Sequence, residues 1–158
     1  MAQDDQRPKT AGVVAPPPLI VLAALLTGLA IDYLLGLGGG APAWLRVIAA
    51  LMGLAALGLG GVAAWTMHRA HTAVEPWKPS THLVSRGIFA HTRNPIYVGL
   101  LLLLAGFALW FASPGIALLL PVCALVLHHG VVLREERYLS TVFGAEYRDY
   151  MARVRRWL

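Results

Sequence analysis

Arg93 and Asn94 stand directly before Pro95, and Glu135 and Glu136 stand together further along the chain. Two apolar stretches, joined by Ser113-Pro114-Gly115, lie between the pairs. Asn before Pro signals a helix start, because Asn caps free amides and the N–H that Pro lacks would be unpaired in the first turn. A helix is therefore expected from Pro95, with Asn94 as its cap and Arg93 at its positive end. A guanidinium beside unpaired amides suits a carboxylate or a phosphate. The same basic loop would also serve simply to anchor a helix at lipid headgroups. Glu135 and Glu136 follow an apolar stretch, and carboxylates at a helix C-terminus oppose its dipole. They call for partners, and Arg93, Arg134 or Arg137 would suffice, or for a cationic ligand.

The turn at Pro114 lies about midway between Arg93 and Glu135, so two helices rising about 1.5 Å per residue return the chain to its starting level. Arg93, Asn94, Glu135 and Glu136 are then expected at one surface, with His82, Tyr147 and Tyr150 within reach. An arginine suits a carboxylate, while a glutamate and aromatic rings suit a cation. S-adenosylmethionine carries both groups, and a zwitterionic lipid headgroup fits as well.

The elements that must position these residues follow from composition. The 158 residues are 58% hydrophobic and 13% charged, with a mean hydropathy of +0.63. Soluble domains carry about 25% charge, so an all-α, polytopic membrane protein is expected. Four spans are expected, at about 19–37, 44–67, 95–112 and 115–133, the last two forming a helical hairpin. Residues 1–18 read as a disordered or extended lead-in, and 19–158 as one membrane domain. Asp4 and Asp5 and the long apolar run argue against a signal peptide. Ala56, Gly60 and Ala64 suggest a close-packing face on the second span. Beyond Arg134 the apolar spacing of Leu139, Val142, Phe143, Tyr147, Tyr150 and Met151 predicts short amphipathic helices at the membrane surface. Asp32 is expected at an interface.

The net charge of +5 comes from Lys and Arg beside apolar segments, which points to headgroups and orientation and away from nucleic acid. Both basic stretches, 68–94 and the C-terminal tail, are then cytoplasmic, with both termini. The single cysteine, Cys123, excludes an intrachain disulfide and reads as a buried hydrophobe. No metal site is expected, although His68, His71, His128 and His129 leave a haem-binding partner protein as one alternative. A non-catalytic lipid-binding module is another.

The ordered strings HLVSRGIF, RNPIYVG, EERYLSTVFGAEYRDY and RVRRW, within residues 80–157, resemble the isoprenylcysteine carboxyl methyltransferase and phospholipid methyltransferase superfamily of integral membrane enzymes. Asn94 stands where many members have His. The resemblance implies an S-adenosylmethionine-dependent methyltransferase that releases S-adenosylhomocysteine. It implies a cofactor site of His82, Gly87, Arg93, Asn94, Tyr97, Glu135 and Glu136, with Tyr147 and Tyr150 as lid elements. Arg93, Glu135 and His82 are the residues expected to act in catalysis. The acceptor would be lipophilic or membrane-embedded: a prenylcysteine carboxylate, a phospholipid amine or a small thiol. A bacterial inner membrane is the expected location, and the oligomeric state stays open.

Overall fold

The computed structural model describes residues 10–158. The lead-in expectation for residues 1–9, with Asp4 and Asp5, lies outside them. Six α-helices follow: α1 (Pro17–Leu35), α2 (Ala43–Arg69), α3 (Pro95–Trp110), α4 (Pro114–Leu127), α5 (Leu133–Phe143) and α6 (Ala145–Arg153). The described residues contain no strand. Residues 10–16 are irregular but held. Val14 N–H donates to Gly130 O at 3.1 Å, and Arg134 Nη1 to Gly12 O at 2.9 Å.

Helices α1 to α4 form the expected antiparallel arrangement, with α1 packed on α4, α2 on α3, and α3 and α4 as a hairpin. Pro17, Pro95 and Pro114 occupy first helical turns, where their missing N–H costs nothing. Leu26, Leu51, Leu54, Leu57, Leu118 and Leu125 all face outward. Water would penalise such a surface; a hydrocarbon environment does not, provided the backbone bonds internally as helices do. The buried cluster of Val21, Tyr97, Leu104, Ile116, Cys123, Leu127 and Val131 lies where α1, α3 and α4 meet. Cys123 is buried, as its apolar setting suggested.

Small residues set the close contacts. A Cβ on Gly115 would lie 2.3 Å from Gly28 O, so α1 and α4 touch backbone to backbone at this point. On α2 the buried face is Ala49, Ala56 and Ala63, against Gly99 and Gly106 of α3. Gly60 also lies against Gly99, so Ala56 and Gly60 form the expected close-packing face, while Ala64 is only half-buried. Gly53 extends the same face toward Gly106, at the three-to-four-residue spacing of one helix side.

A correction concerns the C-terminal region. α4 does not stop near Leu133. A wider π-type turn, His128–Val132, carries it into α5 as one 30-residue helix, Pro114–Phe143. At about 1.5 Å per residue that is roughly 45 Å, against roughly 30 Å of hydrocarbon. About a third of this helix therefore projects beyond the apolar layer at one end. α5 is a stalk continuous with a span; only α6 is a separate short helix. In contrast, α3 has 16 residues, about 24 Å, so its N-terminus sits close to the hydrocarbon boundary.

At the opposite end Asp32 is buried. It accepts Gly115 N–H at 2.8 Å and the Ser113 hydroxyl, while Ser113 Oγ accepts Ile116 N–H at 3.0 Å. Asp32 thus caps α4 from the last turn of α1.

Candidate functional site

The site forms where the start of α3, the head of α5, α6 and the 70–90 connection converge. The Arg93 side chain is only 9% exposed, and its Nη1 lies 3.1 Å from Glu136 Oε1. This is an ion pair by distance, but the N–H direction misses the oxygen. Neither Nη1 nor Nε of Arg93 has a hydrogen-bond partner among the described residues. Glu136 instead receives a two-pronged bond from Arg156, Nε to Oε1 and Nη2 to Oε2, both at 2.9 Å. That bond holds the Arg156 guanidinium above its ordinary range, where it is charged at any physiological pH.

Glu135 points to a different partner. Tyr97 OH donates to Glu135 Oε2 at 2.7 Å. The adjacent glutamates therefore diverge, one tied to arginines and one to a phenol, as neighbouring positions on a helix must. The helix runs on through both, so they meet no free carbonyls and the opposing-dipole argument does not apply here.

Two small cavities, about 60 and 40 Å³, share Met67, Phe89, Arg93 and Glu135 as walls. The first is also lined by Thr72, Ser80, His82, Tyr147 and Tyr150, the second by Val74, Asn94, Ile96 and Tyr97. Tyr147 and Tyr150 are buried, with ring centres 6.0 Å apart. Burial raises the Tyr147 hydroxyl well above its usual range, and the nearby Glu136 adds to this. Burial pushes Tyr150 up to about 12, and Arg93 pulls it back in part. Both stay neutral phenols at physiological pH, and Tyr150 OH donates to Phe89 O at 2.6 Å. The roof is the 70–86 connection, tied to α5 by Ser80 N–H on Tyr138 OH at 3.1 Å and braced internally by Thr81 N–H on Thr72 Oγ1 at 3.2 Å.

The structure brings His82, Arg93, Asn94, Tyr97, Glu135, Tyr147 and Tyr150 to these walls. His82 is exposed, its Nδ1 3.3 Å from Thr81 Oγ1. Glu136 stands behind the walls, in the ion pairs. Gly87 lines neither cavity; it opens the 3₁₀ turn Gly87–Ala90 at φ +62°, a left-handed conformation that other residues adopt only with strain. That turn sets Phe89 into the wall. Asn94 does not cap α3. Its Nδ2 donates to Arg156 O at 2.8 Å, and Thr92 Oγ1 accepts Asn94 N–H at 3.2 Å. The Nδ2 bond to the tail carbonyl orients the side chain, and Oδ1 accepts no amide of the first turn. Sequence reasoning missed Phe89, Thr72, Ser80 and Arg156. The first three carry no local signal, and Arg156 is one of several arginines in the tail.

The chemistry of this donor set suits a ligand with a carboxylate beside a cation. Two unpaired, buried guanidinium nitrogens call for an anion, and a carboxylate beside tyrosine rings suits a cation. No grouping of three or more His, Cys, Asp or Glu that could hold a metal ion occurs among the described residues.

Fold and site together define a small helical integral membrane protein with a buried arginine–carboxylate centre at one end of its bundle. Residues 44–146, well over half of the chain, match the family described as phospholipid methyltransferase, and the chain belongs to that family. An uncharacterized protein of Haemophilus influenzae is 41% identical over 63 residues, which cover 40% of this chain and 100% of that protein.

Proposed function

We propose that this protein transfers a methyl group from S-adenosylmethionine to a lipophilic acceptor that arrives from the membrane. The observation that carries this reading is Arg93: a buried guanidinium with two unpaired nitrogens, sharing a cavity wall with Glu135 at the membrane boundary. Bound there, S-adenosylmethionine supplies a methyl group already activated as a sulfonium, so alignment and exclusion of water matter more than acid–base push. Arg93 holds the carboxylate of the ligand. Glu135, oriented by Tyr97, faces its cationic part, together with the rings of Tyr147 and Tyr150. Cavities this small need the 70–86 roof, with the exposed His82, to swing outward, since ligand pockets measure about 300–1,000 Å³. The Ser80 N–H bond to Tyr138 OH ties that roof to α5, a modest restraint.

The second cavity, where Met67, Val74 and Ile96 meet Arg93 and Glu135, offers an approach between the end of α2 and the start of α3. A phospholipid amine, a prenylcysteine carboxylate and a small thiol all suit it. A carboxylate acceptor needs no base; an ammonium or thiol must first lose a proton, and Glu135 or His82 receives it. The basic 68–94 connection and tail support a cytoplasmic side for this end, in a membrane read as a bacterial inner membrane.

Calorimetric binding of S-adenosylhomocysteine to the detergent-purified protein, with Glu135→Ala as control, tests the reading. Binding by wild type that disappears in the variant supports the site. A folded wild type that binds nothing overturns it in favour of a non-catalytic lipid-binding protein.

A further inference from the structure

The family match ends at Glu146, and the residues beyond α6 are not part of the site proposed above. They nevertheless cross the entrance of α3. Arg155 O accepts Arg93 N–H at 3.0 Å, and Arg156 O accepts Asn94 Nδ2 at 2.8 Å and Thr92 Oγ1 at 3.4 Å. Trp157 then packs beside His128, with ring centres 6.1 Å apart. The strap is thus held by its own carbonyls and by Trp157. The Arg156 side chain is not needed to dock it.

That side chain is spent on Glu136, in an arrangement opposite to the one burial alone would favour. Of the two arginines, Arg93 is the buried one, with its side chain 9% exposed, while Arg156 is 36% exposed. A buried guanidinium gains most from a hydrogen-bonded carboxylate. Yet Arg156, which has water available, occupies both oxygens, and Arg93 keeps only the Coulomb attraction. A planar fork fitted to a carboxylate fixes the plane of that carboxylate as well as its distance. With Glu136 held in that plane, Arg93 receives charge compensation without surrendering its donors.

We propose that Arg156 is a positioning residue for the cofactor site. It holds Glu136 off the hydrogen-bonding directions of Arg93, so that Nε and Nη1 of Arg93 remain free for the anionic group of the ligand. The inference rests on the reading that S-adenosylmethionine occupies this cavity. Without the Arg156 fork, Glu136 turns, pairs with Arg93 through both oxygens, and competes with the ligand.

The test is the affinity for S-adenosylhomocysteine, measured by calorimetry on full-length protein in detergent. Wild type, Arg156→Ala, Arg156→Lys, Glu136→Gln and the Arg156→Ala/Glu136→Gln double variant are compared, with melting temperature recorded for each. Arg156→Ala is expected to bind about tenfold more weakly, a change of about 1.4 kcal/mol. Its melting temperature should stay close to wild type, because the carbonyl contacts of the strap remain. Arg156→Lys should fall between the two, since a point charge cannot grip both oxygens. The decisive variant is the double one. Gln cannot form a charged pair with Arg93, so it should bind more tightly than Arg156→Ala alone. A strap that is merely structural predicts no such recovery. Wild-type affinity in Arg156→Ala, or a double variant no better than the single, overturns the proposal. Should Arg156→Ala fail to fold, Arg156→Lys with unaltered affinity overturns it equally. Absence of binding by wild type would remove the cofactor reading and this inference with it.

Discussion

The two ends of the bundle each bury a carboxylate, and the difference lies in what remains unpaired. At the turn end, Asp32 takes the Gly115 amide on one oxygen and the Ser113 hydroxyl on the other, and Ser113 Oγ takes Ile116 N–H. The cluster closes on itself. At the other end, Glu136 is shared by two arginines, and the more buried of them leaves Nε and Nη1 without a hydrogen-bond partner among the described residues. A closed polar cluster stabilises a helix junction; an open one stores unmet demand for a ligand. Desolvated donors left unpaired cost about 1–3 kcal/mol each, more when charged, and a ligand that pairs them recovers that cost on binding.

The sharpest way to break this contrast is to exchange the consequences of substitution at the two ends. Arg93→Ala should weaken S-adenosylhomocysteine binding by about 100-fold or more, as loss of two charge-assisted hydrogen bonds implies. Melting in detergent should change little, because Glu136 keeps the fork from Arg156. A large loss of stability with binding intact would make Arg93 a structural residue and erase the distinction. Asp32→Ala should do the reverse. Without the cap at Gly115, stability should fall by about 1–3 kcal/mol while affinity holds. Reduced affinity there would show that the two ends are coupled through α4.

A smaller effect comes from the tyrosine layer. Tyr150 titrates near 12 in the folded protein, against 10.0 for an ordinary tyrosine. The folded state therefore holds its proton more tightly than the unfolded chain does. That contribution to stability is fully present below pH 10, and it is lost as pH rises from about 10 to about 12. Melting temperature should decline over that window, and Tyr150→Phe should decline less steeply. Equal slopes would mean that Tyr150 OH does not matter to the packing of α6 on Phe89.

Much of the site was legible because local chemistry constrained it. Pro95 had to begin a helix, and Ser113-Pro114-Gly115 had to turn one. The lengths between then returned Glu135 to the level of Arg93. The ion pair of Arg93 with Glu136 and the bond from Tyr97 to Glu135 bring these residues together as the counting required. Two readings failed. Asn94 left its capping role for a carbonyl supplied by Arg156. The break expected near Leu133 became a π-type turn within a continuous helix, since nothing at His128–Val132 forbids helical dihedrals.

By itself, the amino-acid sequence determined the helical membrane character, the number of spans, the hairpin and the end at which charge collects. Each of these depends on hydropathy, on proline and on helix rise, all properties of neighbours in the chain. Only the tertiary structure decided which oxygen each donor reaches. It set Arg156 rather than Arg134 or Arg137 on Glu136, left Arg93 with nitrogens to spare, and closed the cluster around Asp32. Hydrogen bonds depend on ångström-scale direction between residues far apart in the chain, and no periodicity in a single sequence carries that information.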